Sequence, residues 1–107
     1  MKVMVVGSGG RCHAIVKALS KSEKVTRIYA APGNDGMSEL ATLIPISATN
    51  VSELVAFAKI ENMDLTVVGP EVSLAAGVVN EFEKNGLKIL SIISSLIPLP
   101  SSLISSL

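Results

Sequence analysis

The sequence has one cysteine, few aromatic residues and no excess charge of either sign. Because Cys12 is the single cysteine of 107 residues, no disulfide can form within the chain, and a disulfide-stapled secreted fold is excluded. Nine basic and nine acidic side chains cancel, whereas non-specific nucleic-acid binding needs an excess of Lys and Arg. With no Trp, one Tyr and two Phe, the chain also has little with which to stack bases. We therefore expect no nucleic-acid partner.

Neither end of the sequence indicates a targeting signal or a membrane anchor. The apolar run at residues 3–6 is too short for the core of a signal peptide and ends in glycines, so we expect a cytoplasmic protein. Residues 89–107 carry no charge and are about as long as a membrane span, but seven of them are serine. Pro98 and Pro100 would break backbone hydrogen bonds that lipid cannot replace. We interpret this end as a low-complexity tail and expect no membrane partner.

The order of apolar segments predicts an α/β fold of one domain. Short apolar runs predict strands, and apolar residues at helical spacing, such as Ala14, Ile15, Ala18 and Leu19, predict helices between them. The predicted strands are residues 2–6, 25–30, 42–46, 65–68 and 87–93, and the predicted helices are residues 11–21, a helix capped by Asn50 or Ser52, and residues 73–84. Wholly apolar strands that alternate with helices indicate a parallel sheet covered on both faces, in three layers.

Three clusters of glycine and proline follow predicted strands and are the candidate site. Ligands of parallel sheets bind beyond the carboxyl ends of the strands. The clusters are residues 7–11 (the first loop), residues 32–36 (the second loop) and residues 69–71 (the third loop). The topology should therefore bring all three to one edge of the sheet.

The first loop, Gly7-Ser8-Gly9-Gly10-Arg11, has the composition of a phosphate-binding turn. Glycines allow a close backbone approach, the helix that follows offers N–H groups and a positive dipole end, and Arg11 can bind a phosphate through two hydrogen bonds. The alternative is a plain strand-to-helix turn without a ligand. Dinucleotide binding is disfavoured because G-x-G-x-x-G requires glycine where Cys12 stands. The G-K-[ST] of a nucleoside-triphosphate loop does not occur.

The other two loops and two neighbouring side chains have open interpretations. Asn34 in the second loop can offer its amide to a ligand, although such a loop is often only a turn. Glu71 in the third loop can accept hydrogen bonds from sugar hydroxyls. Alternatively, its negative charge can stabilise the helix that follows by interacting with the positive end of the helix dipole. His13 is either a base or phosphate donor, or an ordinary partly buried residue. Cys12 lacks metal-ligand spacing, so we expect no metal site; an activated thiol at the helix start is a further alternative.

Taken together, the segments resemble the N-terminal domain of the phosphoribosylamine–glycine ligase family, which belongs to the ATP-grasp ligases. The segments that carry the resemblance are MKVMVVGSGGRCHA, IYAAPGNDGM, DLTVVGPEVSLAAGVVNEF and GLKIL, in the order and spacing of the family. The resemblance implies a Rossmann-like (pre-ATP-grasp) topology. It also implies a reaction of purine biosynthesis, in which ATP, phosphoribosylamine and glycine give glycinamide ribonucleotide through a glycyl phosphate.

The resemblance also implies which positions contact the phosphoribosyl substrate. The positions that match the family's three loops are Gly9, Gly10, Arg11, His13, Pro32, Gly33, Asn34, Gly69, Pro70 and Glu71. By analogy with related ATP-grasp enzymes, Glu71 is expected to face the ribose hydroxyls. No catalytic residue and no cofactor are expected in this chain, because the family holds ATP and Mg²⁺ in later domains. A separate chain with those domains is therefore a possible partner.

The sequence departs from the family pattern at two places. Cys12 stands where the family usually has glutamate, and the resemblance ends after Leu90. We therefore expect a substrate-binding domain at residues 1–90 and an unrelated tail rich in Ser, Leu, Ile and Pro at residues 91–107, as a truncated or frameshifted product would have. Such a chain should be inactive alone. The alternative is a non-catalytic Rossmann-like remnant or interaction module that uses its apolar tail to bind a partner.

Overall fold

A computed structural model of the chain describes residues 1–70, 72 and 75–91. The elements follow one another as β1 (Lys2–Gly7), α1 (Gly10–Ser20), β2 (Arg27–Pro32), a 3-10 helix (Asp35–Met37), β3 (Thr42–Leu43), α2 (Val51–Ile60), β4 (Leu65–Val68), α3 (Ala75–Lys84) and β5 (Ile89–Ser91). The predicted order of strands and helices is confirmed. Of the predicted tail at residues 91–107, Ser91 belongs to β5, and residues 92–107 lie outside the described residues.

The five strands form one parallel sheet in the order β3-β2-β1-β4-β5. β1 lies at the centre, paired with β2 on one side and β4 on the other. Since all the strands run in one direction, their last residues share one edge of the sheet, here called the carboxyl edge. The opposite side is the amino edge.

The core consists of two apolar clusters, one on each face of the sheet. Side chains of a strand point alternately to the two faces, and in β1 Val3 and Val5 belong to one cluster while Met4 and Val6 belong to the other. The first cluster packs against α1, and the second packs against α2 and α3. The three-layer α/β fold, with a Rossmann-like arrangement, is therefore confirmed.

The buried stripe of α1 differs from the expected one. The buried residues of α1 are Cys12, Ile15, Val16 and Leu19, whereas Ala14 and Ala18 are only half-buried. The larger side chains at positions 12 and 16 bury more apolar surface, so the helix turns them toward the sheet.

The first turn of α2 confirms one of the two expected caps. The Oδ1 atom of Asn50 accepts a hydrogen bond from the backbone N–H of Glu53 at 3.4 Å. Leu54, Val55 and Ala58 form the buried face of this helix.

A network of polar contacts connects β1 and β2 to the end of α2 near the amino edge. The Tyr29 hydroxyl donates to Glu61 Oε1 at 3.1 Å and accepts from the Arg27 guanidinium at 3.3 Å. This hydrogen bond to Tyr29 raises the pKa of Arg27 above its ordinary value. The Lys2 ammonium donates to the Glu61 carbonyl at 2.9 Å. Since arginine is charged at any physiological pH, no pH dependence follows from this shift.

Within the part of the chain that the structure describes, no helix combines the length and the apolar character needed to cross a bilayer.

Candidate functional site

The strand register brings the three loops together at the carboxyl edge. Gly7, the last residue of β1, is paired with Pro32, the last residue of β2, and Val6 is paired with Val68 at the end of β4. The contacts continue past the strands, because Gly33 N donates to Gly7 O and Gly69 N donates to Val6 O, each at 3.0 Å. The first loop therefore lies between the second and the third.

The first loop leads directly into the start of α1. Gly7 has a φ of 137°, which favours glycine, and Gly9 is the N-cap residue in an extended conformation. A Cβ atom at Gly10 would have no neighbour within 4 Å, so one side of the loop is open. The first turn of α1 contains no acidic residue, and Arg11 is exposed. The start of α1 thus combines a positive dipole end with a cationic side chain.

His13 connects α1 to the second loop. Its backbone N–H donates to Gly9 O at 3.0 Å, and its side chain is half-buried. A Cβ atom at Gly36 would lie only 3.1 Å from His13 Cε1. The imidazole therefore packs against the backbone of the second loop, a contact that could not be predicted from local sequence patterns.

The second loop turns sharply beside the first. Gly33 has a φ of 69°, and a Cβ atom there would lie 2.9 Å from Ala30 Cβ, so the turn needs glycine. Pro32 and Asn34 are half-buried. The Asn34 amide donates from Nδ2 to Ser8 O at 2.6 Å and joins the two loops directly. The role of Ser8 lies in its carbonyl group, which every residue has, so the sequence carried no signal for it.

The third loop is described up to Pro70. Gly69 is buried and Pro70 is half-buried. Val72 N donates to Gly69 O at 3.2 Å and closes a turn between β4 and α3. Glu71, expected to face ribose hydroxyls, lies outside the described residues, as does Ser73 at the predicted start of the last helix.

Cys12 points away from the open side of the loop. Its side chain is 0% exposed and packs in the cluster that α1 shares with the sheet. The thiol lies 3.7 Å from Val6 O, within the range of a weak S–H hydrogen bond. A thiol in this position packs as a small apolar group.

We expect the Cys12 thiol to react slowly with an aromatic disulfide reagent in the native chain. Since the side chain is fully buried, labelling requires an opening of the structure, and it should be at least about a hundredfold slower than in guanidinium chloride. The rate is measured by absorbance, and the single cysteine makes the signal unambiguous. Labelling at similar rates in both solvents would show that α1 does not bury this residue.

The described residues form no metal-binding cluster, and one cavity that they line lies away from the loops. Among the described residues, no group of three or more His, Cys, Asp and Glu side chains could hold a metal ion. A cavity of about 310 Å³ is lined by Met1, Asp64 and Lys88, among others, and therefore lies at the amino edge, away from the loops.

The fold and the loops define a class of protein: a Rossmann-like α/β domain with two glycine-rich loops and a Gly-Pro turn at the carboxyl edge of its sheet. The comparison with protein families is more specific, because the family model described as Phosphoribosylglycinamide synthetase, N domain, matches residues 1–94. The chain belongs to this family, and the resemblance found in the sequence is confirmed.

Curated relatives agree with the family assignment. The chain is 54% identical over 89 residues to a phosphoribosylamine–glycine ligase of Halalkalibacterium halodurans, a match that covers 83% of this chain and 21% of the relative. It is 53% identical over 89 residues to the ligase of the same name from Caldanaerobacter subterraneus, with the same coverage of both. The chain thus spans about a fifth of the length of these relatives.

Proposed function

We propose that this chain supplies part of the phosphoribosylamine site of a phosphoribosylamine–glycine ligase in purine biosynthesis, in the cytoplasm. The full reaction joins phosphoribosylamine to glycine at the expense of ATP. The observation that carries the proposal is the convergence of the three loops, through the pairs Gly7 with Pro32 and Val6 with Val68. The family match supports the choice of substrate.

The phosphate of the substrate is best accommodated at the first loop. Gly10 leaves room for a ligand close to the backbone, and exposed Arg11 can approach the same point. A helix N-terminus contributes at most ~2 kcal/mol toward an anion, and a charge-assisted hydrogen bond contributes ~1.5–3 kcal/mol. If Arg11 donates two such bonds, these contributions total at most ~8 kcal/mol, and association costs at least ~4 kcal/mol. The chain alone should therefore bind a ribose phosphate with a Kd on the order of 1 mM or weaker.

The remaining loops are assigned to the sugar side of the substrate. Pro32, Gly33 and Asn34 line one flank of the first loop, and Gly69 and Pro70 line the other, as the hydrogen bonds of Gly33 and Gly69 to β1 require. His13 lies between the first two loops. Glu71 stays a prediction for the ribose hydroxyls.

We propose that the chain alone does not catalyse the ligation. Phosphoryl transfer from ATP requires groups that hold its phosphates and Mg²⁺. The described residues offer no cluster of metal-binding side chains, so we assign no step of the reaction to them. Incubation of the pure chain with ATP, glycine and phosphoribosylamine should give no phosphate release above the enzyme-free rate. Turnover would contradict the proposal.

Arg11→Ala should weaken the binding of ribose 5-phosphate about tenfold. The substitution removes a charge-assisted hydrogen bond whose contribution is reduced by solvent, so the loss should be nearer to ~1.4 kcal/mol than to the upper end of the range. Binding is followed by ¹H–¹⁵N NMR titration, with shifts expected at Gly9, Gly10 and Gly33.

Lys17→Ala is the matched control for this experiment. Lys17 is also an exposed cation on α1, but it lies near the other end of the helix. If both variants bind as the unmodified chain does, Arg11 has no role in binding. If the unmodified chain gives no shifts at the loops but associates with itself as its concentration rises, the interaction-module alternative is favoured.

A further inference from the structure

The Asn34 side chain has an unusual partner for its position. Asn34 is the N-cap residue of the 3-10 helix, with φ −142° and ψ 167°, and its side chain makes no capping hydrogen bond there. An asparagine at such a position ordinarily accepts from an N–H group of its own turn. Here the amide is directed to another loop, where Nδ2 donates to Ser8 O at 2.6 Å.

Chemistry fixes the orientation of this amide. A carbonyl oxygen only accepts hydrogen bonds, so the atom of Asn34 that faces Ser8 O must be Nδ2 rather than Oδ1. The Ser8 carbonyl and the Gly9 N–H belong to one planar peptide group. The hydrogen bond therefore sets the direction of the peptide that leads into Gly9, the N-cap residue of α1.

The opposite side of the Asn34 amide is also closely packed. A Cβ atom at Gly36 would lie 3.2 Å from Asn34 Oδ1 and 3.1 Å from His13 Cε1. The amide and the imidazole thus both lie against the backbone of residue 36. This packing limits how far Asn34 can turn away from Ser8.

We propose that Asn34 is a positioning residue, which holds the Ser8–Gly9 peptide so that the first loop is ordered before a phosphoribosyl ligand binds. The effect on the ligand rests on the proposed function, whereas the ordering of the loop does not. Asn34 acts on the ligand through the first loop, by keeping that loop from sampling other conformations.

Asn34→Asp tests the proposal because it changes one N–H donor into an acceptor at nearly constant size. Near pH 7 the new carboxylate repels the Ser8 carbonyl, and the first loop should become mobile. Proximity to the carbonyl oxygen raises the pKa of the new carboxyl above its usual value of about 3.9. Once protonated, the carboxyl can donate an O–H to Ser8 O. Loop order should therefore return as the pH falls below neutral, a recovery that a merely space-filling role would not produce. The unmodified chain has the same His13 imidazole and Asp35 carboxyl near residue 34 and should show no such change.

Two readouts separate this proposal from the proposed function. ¹⁵N relaxation at Ser8, Gly9 and Gly10 reports loop order without a ligand, and titration with ribose 5-phosphate reports binding. The Kd of the variant should be about tenfold above that of the unmodified chain near pH 7 and should approach it at low pH. The two chains are compared at the same pH because the ligand phosphate also titrates, with a pKa of about 6.

The control is Asn80→Asp, the same chemical change at an exposed residue of α3. It should leave both readouts unchanged. If the first loop of Asn34→Asp becomes mobile reversibly with pH, and neither this variant nor the unmodified chain binds ribose 5-phosphate, the positioning role holds and the proposed function fails. If the loop in Asn34→Asp stays as ordered as in the unmodified chain, the positioning role is refuted.

Discussion

Replacing Gly33 by alanine is expected to lower the free energy of unfolding by about 2–5 kcal/mol. Gly33 has a φ of 69°, and an L-residue in this left-handed region costs about 1–2 kcal/mol. The added Cβ would also lie 2.7 Å from Leu43 Cδ2 and 2.9 Å from Ala30 Cβ. Leu43 can rotate away, but the Ala30 methyl is fixed to the backbone of β2, and overpacking of this kind costs about 1–3 kcal/mol. Urea unfolding followed by circular dichroism measures the difference.

Gly86→Ala isolates the first of these two costs, that of the left-handed backbone conformation. Gly86 has nearly the same φ, 71°, but a Cβ atom there would meet nothing within 4 Å. This variant should lose only the conformational part, about 1–2 kcal/mol. The difference between the two variants therefore measures the closeness of the second loop to β2 and β3. Equal losses would mean that Gly33 is not packed as the structure describes.

The centres of the elements could be predicted from the sequence, because they depend on local patterns. β4 has the predicted bounds, Leu65–Val68, since an apolar run is limited there by Asp64 before it and Gly69-Pro70 after it. The amphipathic face of α2 is also a local pattern. In each case the residues that decide the outcome lie within one element.

The ends of several strands depend on a partner and could not be predicted in this way. β2 was expected at residues 25–30 but runs over Arg27–Pro32, because it follows the register of β1 as far as Gly7. β3 was expected at residues 42–46 but covers Thr42–Leu43. Ile44 N still donates to Ala30 O, at 2.8 Å, but Pro45 has no N–H with which to continue.

The candidate site was also predictable only in part: which loops meet could be predicted, but the contacts between them could not. Glycine-rich sequence after a strand indicated which loops meet, since parallel strands end at a common edge. The contacts between loops involve backbone atoms and side chains that are distant in sequence, such as Asn34 with Ser8 and His13 with Gly36. Met37 is a similar case: it directly follows the second loop, yet it is 0% exposed and belongs to the core, where the 3-10 helix places it.

Phe82→Ala should have the largest effect on stability, a loss of about 3–5 kcal/mol. Among the described residues, Phe82 has the largest fully buried side chain, which lies in the cluster that α2 and α3 form with the sheet. Truncation removes apolar contact area and leaves a cavity that the surrounding strands cannot collapse to fill. A domain of this size has a total stability of about 5–15 kcal/mol. At the centre of that range the loss amounts to about a third to a half of the total, and thermal unfolding should shift down by tens of degrees.

Glu83→Ala provides the comparison, because Glu83 is the next residue of α3 and is exposed. Its effect should stay within about 0.5 kcal/mol.

α3 has ten residues, too few to be stable as an isolated helix. It therefore depends on Val78 and Phe82, both 0% exposed, for its attachment to the sheet. α3 follows the third loop, so its loosening should also weaken the binding of ribose 5-phosphate. A loss below about 1 kcal/mol in Phe82→Ala would mean that α3 is attached to the sheet by other contacts.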